Sequence, residues 1–269
     1  MTIVDAIILG VVQGITEFLP ISSSGHLILA RTLFHINDIN GLAFDAVLQL
    51  ATALAVIVYF FPDIWLLVQT LLRKLGRLPV NKRDETLMYA LTIATIPAVV
   101  LGLSLESLME TVFRNPLVVA TILFVGSLLF IYAEWVYHKR PPTNEITPKK
   151  GFIIGLFQAL ALFPGMSRSG ATIVGGMLMG LSRSEAARFS FLMAVPVITG
   201  AGLKKFIELL SSEATVQWST VLVGSIVAFI VGLFAVHFML RFVQRNTLWP
   251  FIWYRIILAL FIVYVTVLG

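Results

Sequence analysis

Residues Gln13 to Ile28 read QGITEFLPISSSGHLI, and residues Gln158 to Ile173 read QALALFPGMSRSGATI. Laid side by side without a gap, Gln13 meets Gln158, Phe18 meets Phe163 and Ser22 meets Ser167. Ser24 then meets Ser169, Gly25 meets Gly170, Ile28 meets Ile173, and upstream Gly10 meets Gly155. Shared small and polar residues inside apolar sequence, at one constant offset, are hard to obtain by composition alone. The chain therefore reads as one membrane domain, 1–269, made of two related halves. They cover about 1–137 and 151–269 and are joined by a basic loop, 138–150. Each half carries a hydrophobic segment that is broken where its chemistry sits.

Composition supports the membrane setting. Of 269 residues, 58% are hydrophobic and only 12% charged, against about 25% charged in a soluble domain. Mean hydropathy is +0.95. The net charge of +5 is no nucleic-acid signal, because the basic residues cluster in short connections between apolar runs. With no cysteine there is no disulfide framework and no thiolate site. The N-terminal MTIVDAIILG lacks the basic stretch and small-residue cleavage site of a signal peptide, so the spans themselves are expected to direct insertion.

A helical span needs about 20 apolar residues. Leu42–Phe61, Leu87–Leu105, Leu117–Val136, Ala186–Leu210, Trp218–Leu240 and Trp249–Leu268 meet that length. Pro97 with Gly102 and Pro196 with Gly200 are expected to kink or interrupt two of them. Pro62–Leu72 reads as an interfacial helix with Trp65 at headgroup depth. The segments Thr2–Phe34 and Gly151–Gly180 are broken near their middles, by Pro20 with SSSG and by PGMSRSG. They read as re-entrant helix–loop–helix hairpins. His35–Asn40 is a polar turn.

Charge then sets orientation. The loops Arg73–Arg83, His138–Lys150 and Arg241–Thr247 are basic, whereas Glu106–Pro116 is mixed and Ser211–Gln217 has no basic residue. Cytoplasmic loops carry the Lys/Arg excess. Six crossings plus two non-crossing hairpins put all three basic loops inside and both termini outside. If both broken segments crossed, Arg73–Arg83 and Arg241–Thr247 would face opposite sides. The expected fold is an all-α integral membrane protein: six transmembrane helices and two re-entrant hairpins in an inverted-topology repeat. Interrupted segments at matching positions of two halves point to a site near the midplane.

The residues at the two breaks carry the chemistry. Glu17 lies in apolar sequence, where a charge is costly and by default functional; a carboxylate that merely fixes the hairpin is the plainer reading. Gln13 and Glu17 sit one helical turn apart and offer hard oxygens to Mg²⁺ or Ca²⁺. Ser22, Ser23 and Ser24 precede a resumed helix. At least one is expected to cap it, and its free N–H groups suit an anion. Ser23 and His26 are one turn apart, so His26 can serve Ser23 as base. Arg168 lies at the second tip and calls for a carboxylate or phosphate. The plainer reading is an ion pair with Glu17 across the repeat. Ser167, Ser169 and Thr172 add donors, and Gly165 and Gly170 allow close backbone approach. The set suits a phosphate or diphosphate, and the candidate contacts to it are Ser22, Ser24, Gly25, Ser167, Ser169, Gly170 and Thr172. His35, His138 and His237 are assigned no role, and four scattered histidines without cysteine argue against a zinc cage. Arg183, Glu185 and Arg188 read as a polar interfacial face.

At these residues the chain resembles the undecaprenyl-pyrophosphate phosphatase family, also called bacitracin-resistance proteins. The family's Glu/Gln-x-x-x-Glu motif stands as Gln13-Gly-Ile-Thr-Glu17, and its PxSSxGH element as Pro20-Ile-Ser-Ser-Ser-Gly-His26. Its PGxSRSxxT motif stands as Pro164-Gly-Met-Ser-Arg-Ser-Gly-Ala-Thr172. The likeness spans essentially the whole chain. It implies hydrolysis of the undecaprenyl diphosphate carrier lipid to its monophosphate and phosphate, which recycles the carrier for cell-wall polymers and gives bacitracin tolerance. It also implies a divalent ion, Mg²⁺ or Ca²⁺, a bacterial plasma-membrane location and a site opening to the outer face. By position it makes Glu17, Ser23, His26 and Arg168 the catalytic core. Many members carry Glu where this chain has Gln13, so the metal site has one carboxylate fewer here. A lipid flippase of the same architecture needs the charge-binding residues but no nucleophile. The type 2 phosphatidic acid phosphatases need a His after Ser-Arg in SRxxxxxH, which neither Ser167-Arg168 nor Ser182-Arg183 has. Whether Ser23 or His26 attacks, and whether the chain forms a homodimer, the sequence leaves open.

Overall fold

The computed structural model describes residues 1–36, 41–105, 115–211 and 216–267. Among the described residues it is all-helical. The order is α1 (Ile3–Thr16), α2 (Ser23–Leu33), α3 (Gly41–Tyr59), α4 (Phe61–Leu75), α5 (Lys82–Ser104) and α6 (Pro116–Lys139). The second half follows as α7 (Pro148–Leu160), α8 (Arg168–Leu178), α9 (Arg183–Ser211), α10 (Trp218–Arg245) and α11 (Trp249–Val267). Helix starts are capped as the sequence dictates. Thr2 and Asp5 form a capping box, and Asn81, Asn115 and Thr147 each accept a first-turn N–H. Pro116 and Pro148 fall in the first turn, where a missing N–H costs nothing.

Five helices, α5, α6, α9, α10 and α11, are long and apolar enough to cross a membrane. The pair α3 and α4, bent by 80° at their junction, makes the sixth apolar segment. Trp65 on α4 is exposed. Large apolar side chains cover the outside: Phe234 is 72% exposed and Leu103 67%. A surface of this kind belongs in lipid rather than in water. The chain is a multi-pass membrane protein. Pro196 does not interrupt its span as expected, because α9 runs unbroken through it. Membrane helices tolerate a proline where neighbouring helices supply partners for the freed backbone. The loops expected at 106–116 and 211–217, and the turn at 35–40, lie largely outside the described residues.

The halves are exchanged against each other. Helix α1 packs along α10 of the second half, and its counterpart α7 packs along α5 of the first. Both crossings use glycines four residues apart. A Cβ on Gly10 would lie 2.6 Å from the Gly224 carbonyl oxygen, and one on Gly155 would lie 2.4 Å from that of Ala94. Gly14 and Gly151 are equally tight, against Val231 and Ala90. This is the small-xxx-small packing by which membrane helices approach closely. Each hairpin is thereby clamped to the opposite half, which brings the two breaks to the middle. The core surrounds them: Phe18, Phe60, Phe130, Phe191 and Met193 are buried together, with Phe18 edge-on to Phe191 at 5.5 Å.

Candidate active site

The two tips are built alike. Helices α2 and α8 are each 11 residues long, and each begins after a serine cap at positive φ, Ser22 at 74° and Ser167 at 69°. Non-glycine residues occupy such conformations only where surroundings enforce them, and commonly at functional sites. Ser22 Oγ accepts from Gly25 N at 3.4 Å, and Ser167 Oγ from Gly170 N at 3.3 Å. Ser22 and Ser24 hydroxyls bond each other, as do those of Ser167 and Ser169. Ser169 Oγ also donates across the repeat to the Leu19 carbonyl at 3.1 Å.

Between the tips lies Glu17, only 6% exposed. Gln13 Nε2 donates to its Oε2 at 2.9 Å, and Ser23 Oγ to the same oxygen at 2.7 Å. Arg168 Nη2 pairs with Oε1. One carboxylate thus holds an amide, a hydroxyl and a guanidinium from both halves. A cavity of about 170 Å³ opens on this network. Glu17, Ser22, Ser23 and Ser24 line it from the first hairpin, and Gln158, Ser167 and Arg168 from the second. Gln49 of α3 contributes an amide. Ala98 of α5 and Val197, Ile198 and Ala201 of α9 form an apolar wall just beyond Pro97 and Pro196.

The remaining sequence candidates are elsewhere. His26 Nδ1 lies 2.7 Å from the Ser22 carbonyl, which only accepts, so that nitrogen carries the proton. Nε2 then accepts from the Tyr254 hydroxyl at 2.7 Å. The two rings stack at 5.6 Å. Neither ring nitrogen is left for Ser23, whose proton is directed to Glu17 instead, so the expected Ser23–His26 contact is not made. Thr172 Oγ1 donates to the Arg168 carbonyl at 2.7 Å and meets the Ser190 hydroxyl beneath the tip. Gly170 serves packing: a Cβ there would fall 2.3 Å from Phe130 Cζ. Gly25 faces a second, smaller groove between α2, α6 and α11.

Several residues were overlooked by sequence reasoning. Arg255, fully buried in α11, donates to the carbonyls of Pro20, Leu123, Gly165 and Met166 and to Ser127 Oγ, at 3.1–3.3 Å. Its guanidinium also lies 4.9 Å from the Phe130 ring centre. It fastens both tips to α6 and α11. A lone arginine in the run WPFIWYRIILALFIV was the signal. Arg183 is no interfacial charge: it grips Glu134 of α6 at two points, packs over Tyr137, and Glu134, 1% exposed, also accepts from Leu248 N at 2.7 Å. Arg188 pairs with Asp63, tying α4 to α9.

For a metal, the donor set is partial. Among the described residues no three His, Asp or Glu side chains gather. Yet Gln13 Oε1, beside Glu17, is buried without a partner among the described residues, and so is Gln158 Oε1. Hard oxygens with a single carboxylate fit a cation that arrives with a phosphate group, the usual mode for Mg²⁺.

Residues 6–261 match the family described as bacitracin resistance protein BacA. The chain is also similar to full-length proteins named undecaprenyl-diphosphatase. That of Moorella thermoacetica is 43% identical over 263 residues, covering 98% of this chain and 97% of the relative. That of Kineococcus radiotolerans is 42% identical, covering 100% and 95%, and that of Trichlorobacter lovleyi is 43% identical, covering 95% and 94%.

Proposed function

The chain belongs to the bacitracin resistance protein BacA family, and we propose that it hydrolyses undecaprenyl diphosphate to undecaprenyl phosphate and inorganic phosphate. The observation that carries this reading is the convergence of Glu17, Ser23 and Arg168 on one small cavity between the hairpins. Phosphoryl transfer asks mainly for positioning and charge stabilisation, and these groups supply both.

The contacts support the following course of reaction. The isoprenoid tail stays in lipid while the diphosphate enters among the serine hydroxyls, helix starts and Arg168. Ser23 Oγ attacks the terminal phosphorus and passes its proton to Glu17 Oε2, which already accepts it at 2.7 Å. The bond from that phosphorus to the bridging oxygen breaks, and undecaprenyl phosphate leaves. Protonation removes the charge of Glu17, which frees Arg168 to hold phosphate oxygens in its planar fork. The departing lipid phosphate takes that proton, so Glu17 is a carboxylate again. It then takes a proton from water, whose oxygen attacks the phosphorus and breaks its bond to Ser23 Oγ. Glu17 returns the proton to Ser23 as inorganic phosphate leaves. His26 holds the cap of α2 through the Ser22 carbonyl. A divalent cation would be held by Glu17, Gln13 and Gln158 with the substrate, and would neutralise diphosphate charge.

The same reading places the chain in the bacterial plasma membrane, with the basic loops cytoplasmic and the site opening to the outer face. The carrier lipid so recycled serves peptidoglycan synthesis, and its faster turnover confers bacitracin resistance. The test is phosphate release from a polyprenyl diphosphate by the purified chain, with and without chelator. Wild type is expected to be active and chelator-sensitive, Arg168→Ala and Ser23→Ala inactive, and a trapped phospho-enzyme should map to Ser23. Wild-type turnover by Ser23→Ala would refute the serine mechanism.

A further inference from the structure

The cavity holds an amide nitrogen to which the mechanism above gives no task. Gln158 of α7 is 2% exposed, and both its Nε2 and Oε1 lack any partner among the described residues. Its repeat counterpart, Gln13, spends its amide N–H on Glu17 one turn later. The residue one turn after Gln158 is Leu162, which offers nothing to bond. The duplication has kept the amide and lost the carboxylate, so this carboxamide is left facing the cavity it lines. Burying an unpaired amide is costly and a leucine would fit the span without that cost. One bound water needs two to four polar partners, and a cavity of about 170 Å³ has room for much more than one water.

We propose that Gln158 is a diphosphate-binding residue, its Nε2 donating to a non-bridging phosphoryl oxygen of the lipid headgroup. The inference rests on the diphosphatase reading and deepens it. Arg168 lies at the tip of the same hairpin, and the serines stand on the facing tip. Gln158 adds a neutral donor from the side of the second hairpin's first helix. It grips the headgroup without adding a charge that Glu17 would capture, as it captures Arg168.

The probe is methylenediphosphonate, which binds as a diphosphate but is not cleaved. Its inhibition constant, and the KM for a polyprenyl diphosphate, are measured for wild type and Gln158→Leu, with thermal unfolding of each in detergent. A lost hydrogen bond to a charged acceptor weakens both about ten- to a hundred-fold, and unfolding temperature is expected to hold or rise. Gln158→Glu sets a carboxylate against phosphate and is expected to bind still more weakly. Constants within about twofold of wild type in a folded Gln158→Leu would overturn the proposal, leaving the amide a holder of water. Should Gln158→Leu not fold, the same comparison in Gln158→Met decides. If wild type does not cleave the lipid at all, the diphosphatase reading fails separately. Gln158 is then judged by whether methylenediphosphonate raises the unfolding temperature of wild type but not of Gln158→Leu.

Discussion

At the residue scale the molecule turns on Glu17. Its buried carboxylate is held in place by three donors, and Arg168 is the only one that carries charge. Removing one member of a buried pair leaves the other charge stranded, at a cost of about 3–5 kcal/mol. Arg168→Met is therefore expected to lower unfolding temperature sharply in detergent. Adding Glu17→Gln to it should recover part of that loss, while both variants stay inactive. Equal melting of the single and double variants would show that the pair is not coupled. His26 gives a second expectation at this scale. The Tyr254 hydroxyl bonds its Nε2 outside the cavity, so Tyr254→Phe should cost about 1 kcal/mol of stability and leave diphosphate KM within about twofold.

At the scale of elements, the glycine crossings decide how close the hairpins come. With carbonyl oxygens 2.6 and 2.4 Å from their would-be methyl groups, Gly10→Ala and Gly155→Ala force α1 from α10 and α7 from α5. Overpacking of that kind costs about 1–3 kcal/mol, and activity should fall with it because the tips separate. Gly200 in α9 is the control: nothing lies within 4 Å of its would-be Cβ. Gly200→Ala should melt at or above the wild-type temperature. Arg255 is the second element-scale device. Lysine has three donors on a flexible stem and cannot reproduce the planar fork. Arg255→Lys is expected to leave several carbonyls of the two tips unpaired, each worth about 1–3 kcal/mol. Thermal unfolding reads the loss.

At the scale of the whole molecule the two halves work by being unequal. The repeat places a carboxylate at one tip and a guanidinium at the other, and the exchange of α1 and α7 between halves makes them meet. An inverted arrangement also fixes which loops share a side. The chain has no cysteine, so single cysteines report topology directly. Leu78→Cys and Arg140→Cys, in basic connections, should react with an impermeant thiol reagent only from the cytoplasmic face. Gln217→Cys should react only from the other. Labelling of all three from one face would refute the six-span topology.

Length, hydropathy and charge are local or additive properties, so six spans, two broken segments and their duplication could be read from the sequence alone. The pairing of Gln13 with Glu17 was legible for the same reason, being one turn of one helix. The GxxxG glycines were visible too, at Gly10 with Gly14 and Gly151 with Gly155, but a glycine in a span does not announce its partner. Which groups touch depended on contacts between residues far apart in the chain. Only the tertiary structure gave Ser23 to Glu17 and His26 to Tyr254, buried Arg255 against four carbonyls, and left Gln158 facing the cavity without a partner among the described residues. Those choices are made by packing, because a side chain near a helix start can reach several acceptors and the neighbours contributed by the other half determine which it takes.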